Sequence, residues 1–149
     1  MGTDPNGPEV ARSALFRIAE VARGLREGVV YPRFLPDAYG GLGGPILNFN
    51  PVLPYYYPAL LLLLGVGPIA ALKVAAGTAM IASGVAVAIF ARPHAGRVGG
   101  AVAGLAYVFL PYRLADIYVR MAYSELVAMV FLALALAAAR RAAKDPTRR

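Results

Sequence analysis

Between positions 51 and 115 the chain carries no acidic residue, and its only charges there are Lys73, Arg92, Arg97 and Arg113. The rest of that stretch is mostly Leu, Ala, Val, Ile and Gly. Apolar runs of this length predict bilayer-spanning helices, which need about twenty residues each. Three candidates follow. The first covers 66–91, with Pro68 in its opening turn, where a missing N–H costs nothing. The second covers 98–112 and is short, extended beyond a kink at Pro111. The third covers 121–139 and ends at Arg140-Arg141. Before them, 55–65 is apolar and opens on Tyr55, Tyr56 and Tyr57, but it is too short to cross; it predicts an interfacial or re-entrant helix with tyrosines at headgroup level. Gly100 and Gly104, four apart, and Gly77 and Gly84, seven apart, are spacings used for close helix packing.

The N-terminal third has a different pattern. Residues 1–8 are rich in Gly, Pro, Asp and Asn, which predicts a turn or disorder. From 9 to 27, Val10, Ala14, Ile18, Val21 and Leu25 recur at three and four, with Arg12, Arg17, Glu20, Arg23 and Glu27 elsewhere on the wheel. That predicts a juxtamembrane amphipathic helix stopped by Gly28, too charged to span, which lies on the bilayer surface or packs on the rest of the protein. Residues 29–54 hold prolines at a density that forbids a continuous helix, and their aromatic residues argue for an ordered loop covering a site. The fold class expected is all-α: a polytopic transmembrane bundle of about three spans, preceded by an amphipathic helix and a long ordered loop.

Composition narrows the functional classes. Hydrophobic residues make up 59% of the 149 and charged ones 15%, more apolar content than a water-soluble core needs. Cysteine is absent and His94 is the one histidine, which excludes disulfides and thiolate or histidine-cluster metal sites. The net charge of +7 sits at the ends of apolar runs, as membrane topology requires, and not in a stripe suited to nucleic acid. Arg92 and Arg97 follow the first span, and Arg140, Arg141, Lys144, Arg148 and Arg149 follow the third; the positive-inside rule puts both groups in the cytoplasm. The expected organisation is therefore 1–65 outside the cytoplasm, 66–139 in the membrane, and 140–149 a cytoplasmic basic tail. Exporting a neutral segment such as 1–65 requires a preceding signal-anchor helix, so the chain is expected to be a piece of a longer protein.

The densest polar set near the membrane lies in 111–125. On one helix Arg113, Asp116 and Arg120 fall at i, i+3 and i+7 and share a face. They suit either a salt-bridged interfacial helix or a clamp for a phosphate. Glu125 opens an apolar helix, where a carboxylate either complements the helix dipole or needs a partner. Lys73 is expected to snorkel, and Asn48 and Asn50 to serve as turn residues.

The order of these parts resembles the polytopic C-type glycosyltransferases, and more specifically the bacterial membrane proteins called 6-pyruvoyl-tetrahydropterin synthase-related. The matching stretches are Leu15-Phe16-Arg17-Ile18 through Leu25-Arg26-Glu27-Gly28, Tyr31-Pro32-Arg33, Asn48-Phe49-Asn50-Pro51 with Tyr55-Tyr56, Pro111-Tyr112-Arg113, and Val119-Arg120 with Glu125. The resemblance implies transfer of a sugar from a polyprenyl-phosphate carrier on the outer side of the membrane. It implies a carboxylate in the first outer loop and a second one opening a later helix. Glu125 matches the second; Asp37 and Asp4 are the carboxylates available for the first. It also implies Arg113 and Arg120 as phosphate contacts, a divalent metal (Mg or Mn), and as partners the lipid bilayer, the lipid-linked sugar and the remainder of the bundle. The competing class is a non-enzymatic membrane scaffold or transporter fragment in which Asp116, Arg120 and Glu125 form structural pairs only.

Overall fold

A computed structural model of the chain describes residues 7–120 and 122–144. Asp4, most of the 1–8 turn and the end of the basic tail lie outside the described residues. The elements are α1 (Gly7–Arg26), α2 (Ala38–Gly41), α3 (Ile46–Phe49), α4 (Leu53–Leu63), α5 (Pro68–Val108), α6 (Pro111–Tyr118) and α7 (Tyr123–Lys144). Among the described residues there is no strand, only an isolated antiparallel bridge between Leu35 and Gly44. The architecture is all-helical. Two helical stretches, Pro68–Val108 and Tyr123–Ala143, are long and apolar enough to cross a membrane. Only 28% and 17% of their most apolar windows is buried. An apolar helix that keeps most of its side chains uncovered fits a lipid solvent better than a soluble core.

The chain forms two compact units, one up to Ala75 and one from Ala76 onward. In the first, α1 packs on α4. Ala14, Ile18, Val21 and Ala22 are buried on α1, and Tyr55 and Ala59 on α4. The stripe on α1 follows the three-and-four spacing of its apolar residues, with Glu20 buried among them, which the wheel had put on the polar side. Both helices stop in the same way. The Val29 and Gly28 amides donate to the Gly24 and Leu25 carbonyls, and the Val66 and Gly65 amides to those of Leu61 and Leu62. Each is a Schellman closure with glycine in the left-handed position, at φ +80° and +90°.

The 29–52 connection is held by short-range bonds. Leu35 and Gly44 exchange backbone hydrogen bonds at 2.9 and 3.0 Å, closing a loop over the buried Leu35 and Ala38. Its α2 is a turn more than a helix, since Tyr39 and Gly40 are left-handed. Tyr56 donates its hydroxyl to the Val30 carbonyl, and Arg17 donates to the Tyr55 hydroxyl at 3.0 Å, so α4 is tied to both α1 and the loop.

The second unit is built on a reversal inside α5. Gly96, at φ +72° and ψ −173°, breaks the helix, and the arm after it folds back along the arm before it. The arms meet at glycines. A Cβ placed on Gly84 would lie 3.2 Å from the Gly104 carbonyl oxygen, and one on Gly100 would lie 2.8 Å from that of Ala88. The Gly100/Gly104 spacing is thus a packing face, and Gly84 belongs to it; Gly77 meets open space. The second expected span, 98–112, corresponds to the returning arm, which stops at Val108 after roughly 18 Å of rise. Then Pro111 opens α6 as a separate helix that packs on α7.

Replacing both Gly84 and Gly104 with alanine should therefore destabilise the second unit by roughly 1–3 kcal/mol, the range for overpacking. Gly77→Ala should be neutral or slightly stabilising. Thermal unfolding in detergent, followed by circular dichroism, checks the contrast, and equal effects of the two changes would refute it.

Candidate functional site

Arg113 lies in the first turn of α6 and is fully buried. Its guanidinium donates to the Ser83 hydroxyl and to the sulfurs of Met80 and Met129, and lies over the Tyr107 ring at 5.0 Å. Ser83 is aimed for this role, because its own hydroxyl donates to the Met80 carbonyl at 2.8 Å and leaves a lone pair free. Arg113 thereby joins both arms of α5 with α6 and α7. Its Nε, and Oδ2 of the equally buried Asp116, meet no hydrogen-bond partner among the described residues.

Arg120 sits just past the end of α6 and is the centre of a second, half-exposed cluster. It donates to Asp116 Oδ1 at 3.0 Å, to Glu125 Oε2 and Oε1 at 3.2 and 3.1 Å, and to the Tyr112 hydroxyl at 3.3 Å. Tyr112 in turn donates to Glu125 Oε2 at 3.2 Å. The grip on Glu125 is the fork geometry by which arginine holds carboxylates. The Tyr112 hydroxyl and the Glu125 charge together push the Arg120 guanidinium above its usual value. Glu125, 44% exposed at its side chain, stands in the first turn of α7.

The i, i+3, i+7 pattern is thus divided. Arg120 and Glu125 come together with Asp116 and Tyr112, while Arg113 turns inward to a separate set of partners. The carboxylates do not fit a divalent cation. Among the described residues no three of His, Asp and Glu are placed to hold a metal ion, and Asp116 and Glu125 are both committed to one guanidinium.

Asp37 belongs to the first unit. It is 63% exposed and accepts from Arg23 at 2.6 Å. Arg23 also faces Glu20 at 3.4 Å and Glu27 at 3.7 Å, so one guanidinium serves three carboxylates. Glu20 is the member that sequence reasoning passed over. Its i, i+3 relation to Arg23 was visible, but its burial depends on α4 and the loop. Burial pushes the Glu20 carboxyl above the usual range; Arg23 opposes this and the nearby Asp37 adds to it.

Comparison with models of known protein families, with curated proteins and with solved structures finds no match.

The raised carboxyl of Glu20 has a consequence for stability. The folded state holds this proton more tightly than the unfolded chain does, so stability falls as pH rises from the unfolded value of 4.5 through the folded one. Glu20→Gln should accordingly raise the melting temperature at pH 7 and leave it nearly unchanged at pH 4. A larger gain at pH 4 would show the sign to be wrong.

Proposed function

We propose that the chain is part of an integral membrane glycosyltransferase-like protein that takes a sugar from a polyprenyl-phosphate carrier on the outer side of the membrane. The observation that supports this reading best is Glu125: a half-exposed carboxylate at the head of an apolar helix, held by one arginine that phosphate would also attract. In this reading Arg120 is the phosphate contact. Arg113 stabilises the fold around it, since its own donors face sulfur, hydroxyl and an aromatic ring.

The arrangement has a direct chemical use. Both oxygens of Glu125 are bound to Arg120, so the carboxylate is a free base only when something displaces it. The phosphate of a lipid-linked sugar competes for the same guanidinium and releases Glu125 as it binds. Glu125 then accepts the proton of the acceptor hydroxyl, the hydroxyl oxygen attacks the anomeric carbon, and the bond to the carrier phosphate breaks. The polyprenyl phosphate leaves with its charge held by Arg120. Asp37, the outer-loop carboxylate of this reading, is paired with Arg23.

A second reading has its own support. Asp116, Arg120, Glu125 and Tyr112 satisfy one another, as expected for a membrane scaffold or transporter segment in which the cluster merely ties α6 to α7. Substitution separates the two. Under the transfer reading, Arg120→Gln weakens binding of polyprenyl phosphate by at least about tenfold, in line with roughly 1.5–3 kcal/mol for a charged hydrogen bond. Glu125→Gln preserves folding and lowers turnover of a polyprenyl-phosphate sugar by at least about a hundredfold. Under the scaffold reading neither form binds the lipid phosphate, and both lose stability.

The membrane arrangement in this proposal has three crossings, with α1, packed on α4, and the loop both outside. A cysteine at Tyr39 should then react with an impermeant thiol reagent in intact cells, and one at Ala95 should be shielded. The reverse labelling would invert the topology.

A further inference from the structure

At the Gly96 end of the second unit, a cavity of about 140 Å³ opens between α5 and α7. Its lining is Ile89, Phe90, Pro93 and Ala137 together with Arg140 and Arg141. Pro93 interrupts the α5 ladder here, because it has no N–H to give to the preceding turn. Arg140 reaches across from α7 and donates Nη1 to the Phe90 carbonyl at 3.3 Å, which fixes its guanidinium at the cavity wall. One N–H of five is used by that bond. Among the described residues neither Arg140 nor Arg141 is ion-paired, and Arg92 and Arg97, on either side of the reversal, are not either. The described carboxylates of this unit, Asp116 and Glu125, are both bound to Arg120. A group of guanidiniums without an ion-pair partner among the described residues, at the end of two bilayer-length helices, attracts anionic headgroups.

We infer that this cavity binds the phosphate headgroup of an anionic phospholipid. Room and lining agree. With about 30 Å³ per water in the liquid, the cavity takes a group of phosphate size. Four of the six lining residues are apolar, which suits the glycerol and upper acyl carbons of a lipid and penalises a free, fully hydrated phosphate. The fork of Arg140 presents parallel donors to two phosphate oxygens, and Arg141 adds the second charge. Basic pockets between membrane helices are used in this way for anionic lipid headgroups. The inference is independent of the transfer reaction, since it uses none of Tyr112, Arg120 and Glu125.

The 149-residue chain, purified in detergent and titrated with phosphatidylglycerol or phosphatidylcholine, provides the test by native mass spectrometry. Phosphatidylglycerol should be retained at least about tenfold better than phosphatidylcholine, and Arg140→Gln with Arg141→Gln should abolish that preference. Arg26→Gln, which removes an exposed charge of α1, should not change it. Helix content by circular dichroism accompanies each variant. If the double variant loses helix content, Ala137→Leu, which fills the cavity and keeps both charges, takes its place and should also abolish the preference. Equal retention of the two lipids, a preference that survives the variant, or equal loss with Arg26→Gln would overturn the inference. Displacement of phosphatidylglycerol by an equal concentration of inorganic phosphate would also overturn it, by assigning the cavity to the free ion.

Discussion

A guanidinium with nowhere to go holds the second unit together. Arg113 is buried with no carboxylate bonded to it, and its hydrogen-bond donors find only a serine hydroxyl and two methionine sulfurs, under the face of a tyrosine. A buried cation is costly unless such partners are fixed in place. That cost is what makes the arrangement specific. Ser83 and Met80 on one arm of α5, Tyr107 on the other and Met129 on α7 must all be in register before Arg113 can be accommodated. The glycine faces at 84, 100 and 104 allow it, because they let the two arms of α5 approach closely enough for Met80, Ser83 and Tyr107 to reach one side chain.

The polar chemistry is then sorted by depth. Arg113 and Asp116 are both buried, while Arg120, beyond the end of α6, stays half-exposed and reaches back to Asp116 and forward to Glu125. The result is a graded set, from a fully desolvated arginine to a carboxylate that water can still reach. A charged ligand can compete only at the outer end of such a set, which is why Arg120 and Glu125 carry the functional proposal and Arg113 does not. Among the described residues no carboxylate pairs with the arginines at the Gly96 end, and an anion is proposed to bind there.

The first unit follows the same rule with different means. Arg23 is shared by Glu20, Glu27 and Asp37, and only Asp37 comes from the loop. Exposed ion pairs contribute little, about 0–1 kcal/mol each. The loop is therefore fixed mainly by its backbone exchange at Leu35 and Gly44 and by the burial of Leu35, Ala38 and Leu47.

Helices were legible in the residues because their causes are local. The three-and-four spacing from Ala14 to Val21, the glycines at 28 and 65, the prolines at 68 and 111, and the absence of acid from 51 to 115 each act within a few turns of chain. Small residues four apart at 100 and 104 likewise announced a packing face. What depended on distant parts of the chain was decided only by tertiary structure. The helical wheel put Arg113 and Arg120 on one face, but α6 ends at Tyr118, so they turn to different partners. Glu20 read as polar surface until α4 and the loop covered it. Of Gly77 and Gly84 only Gly84 packs, against Gly104, while Gly100 meets Ala88, since Gly96 sets where the chain reverses and hence which residues come into register. Periodicity reports which side of a helix is apolar; which atoms meet it is settled by the reversal, the close approach and the cost of leaving a buried charge without partners.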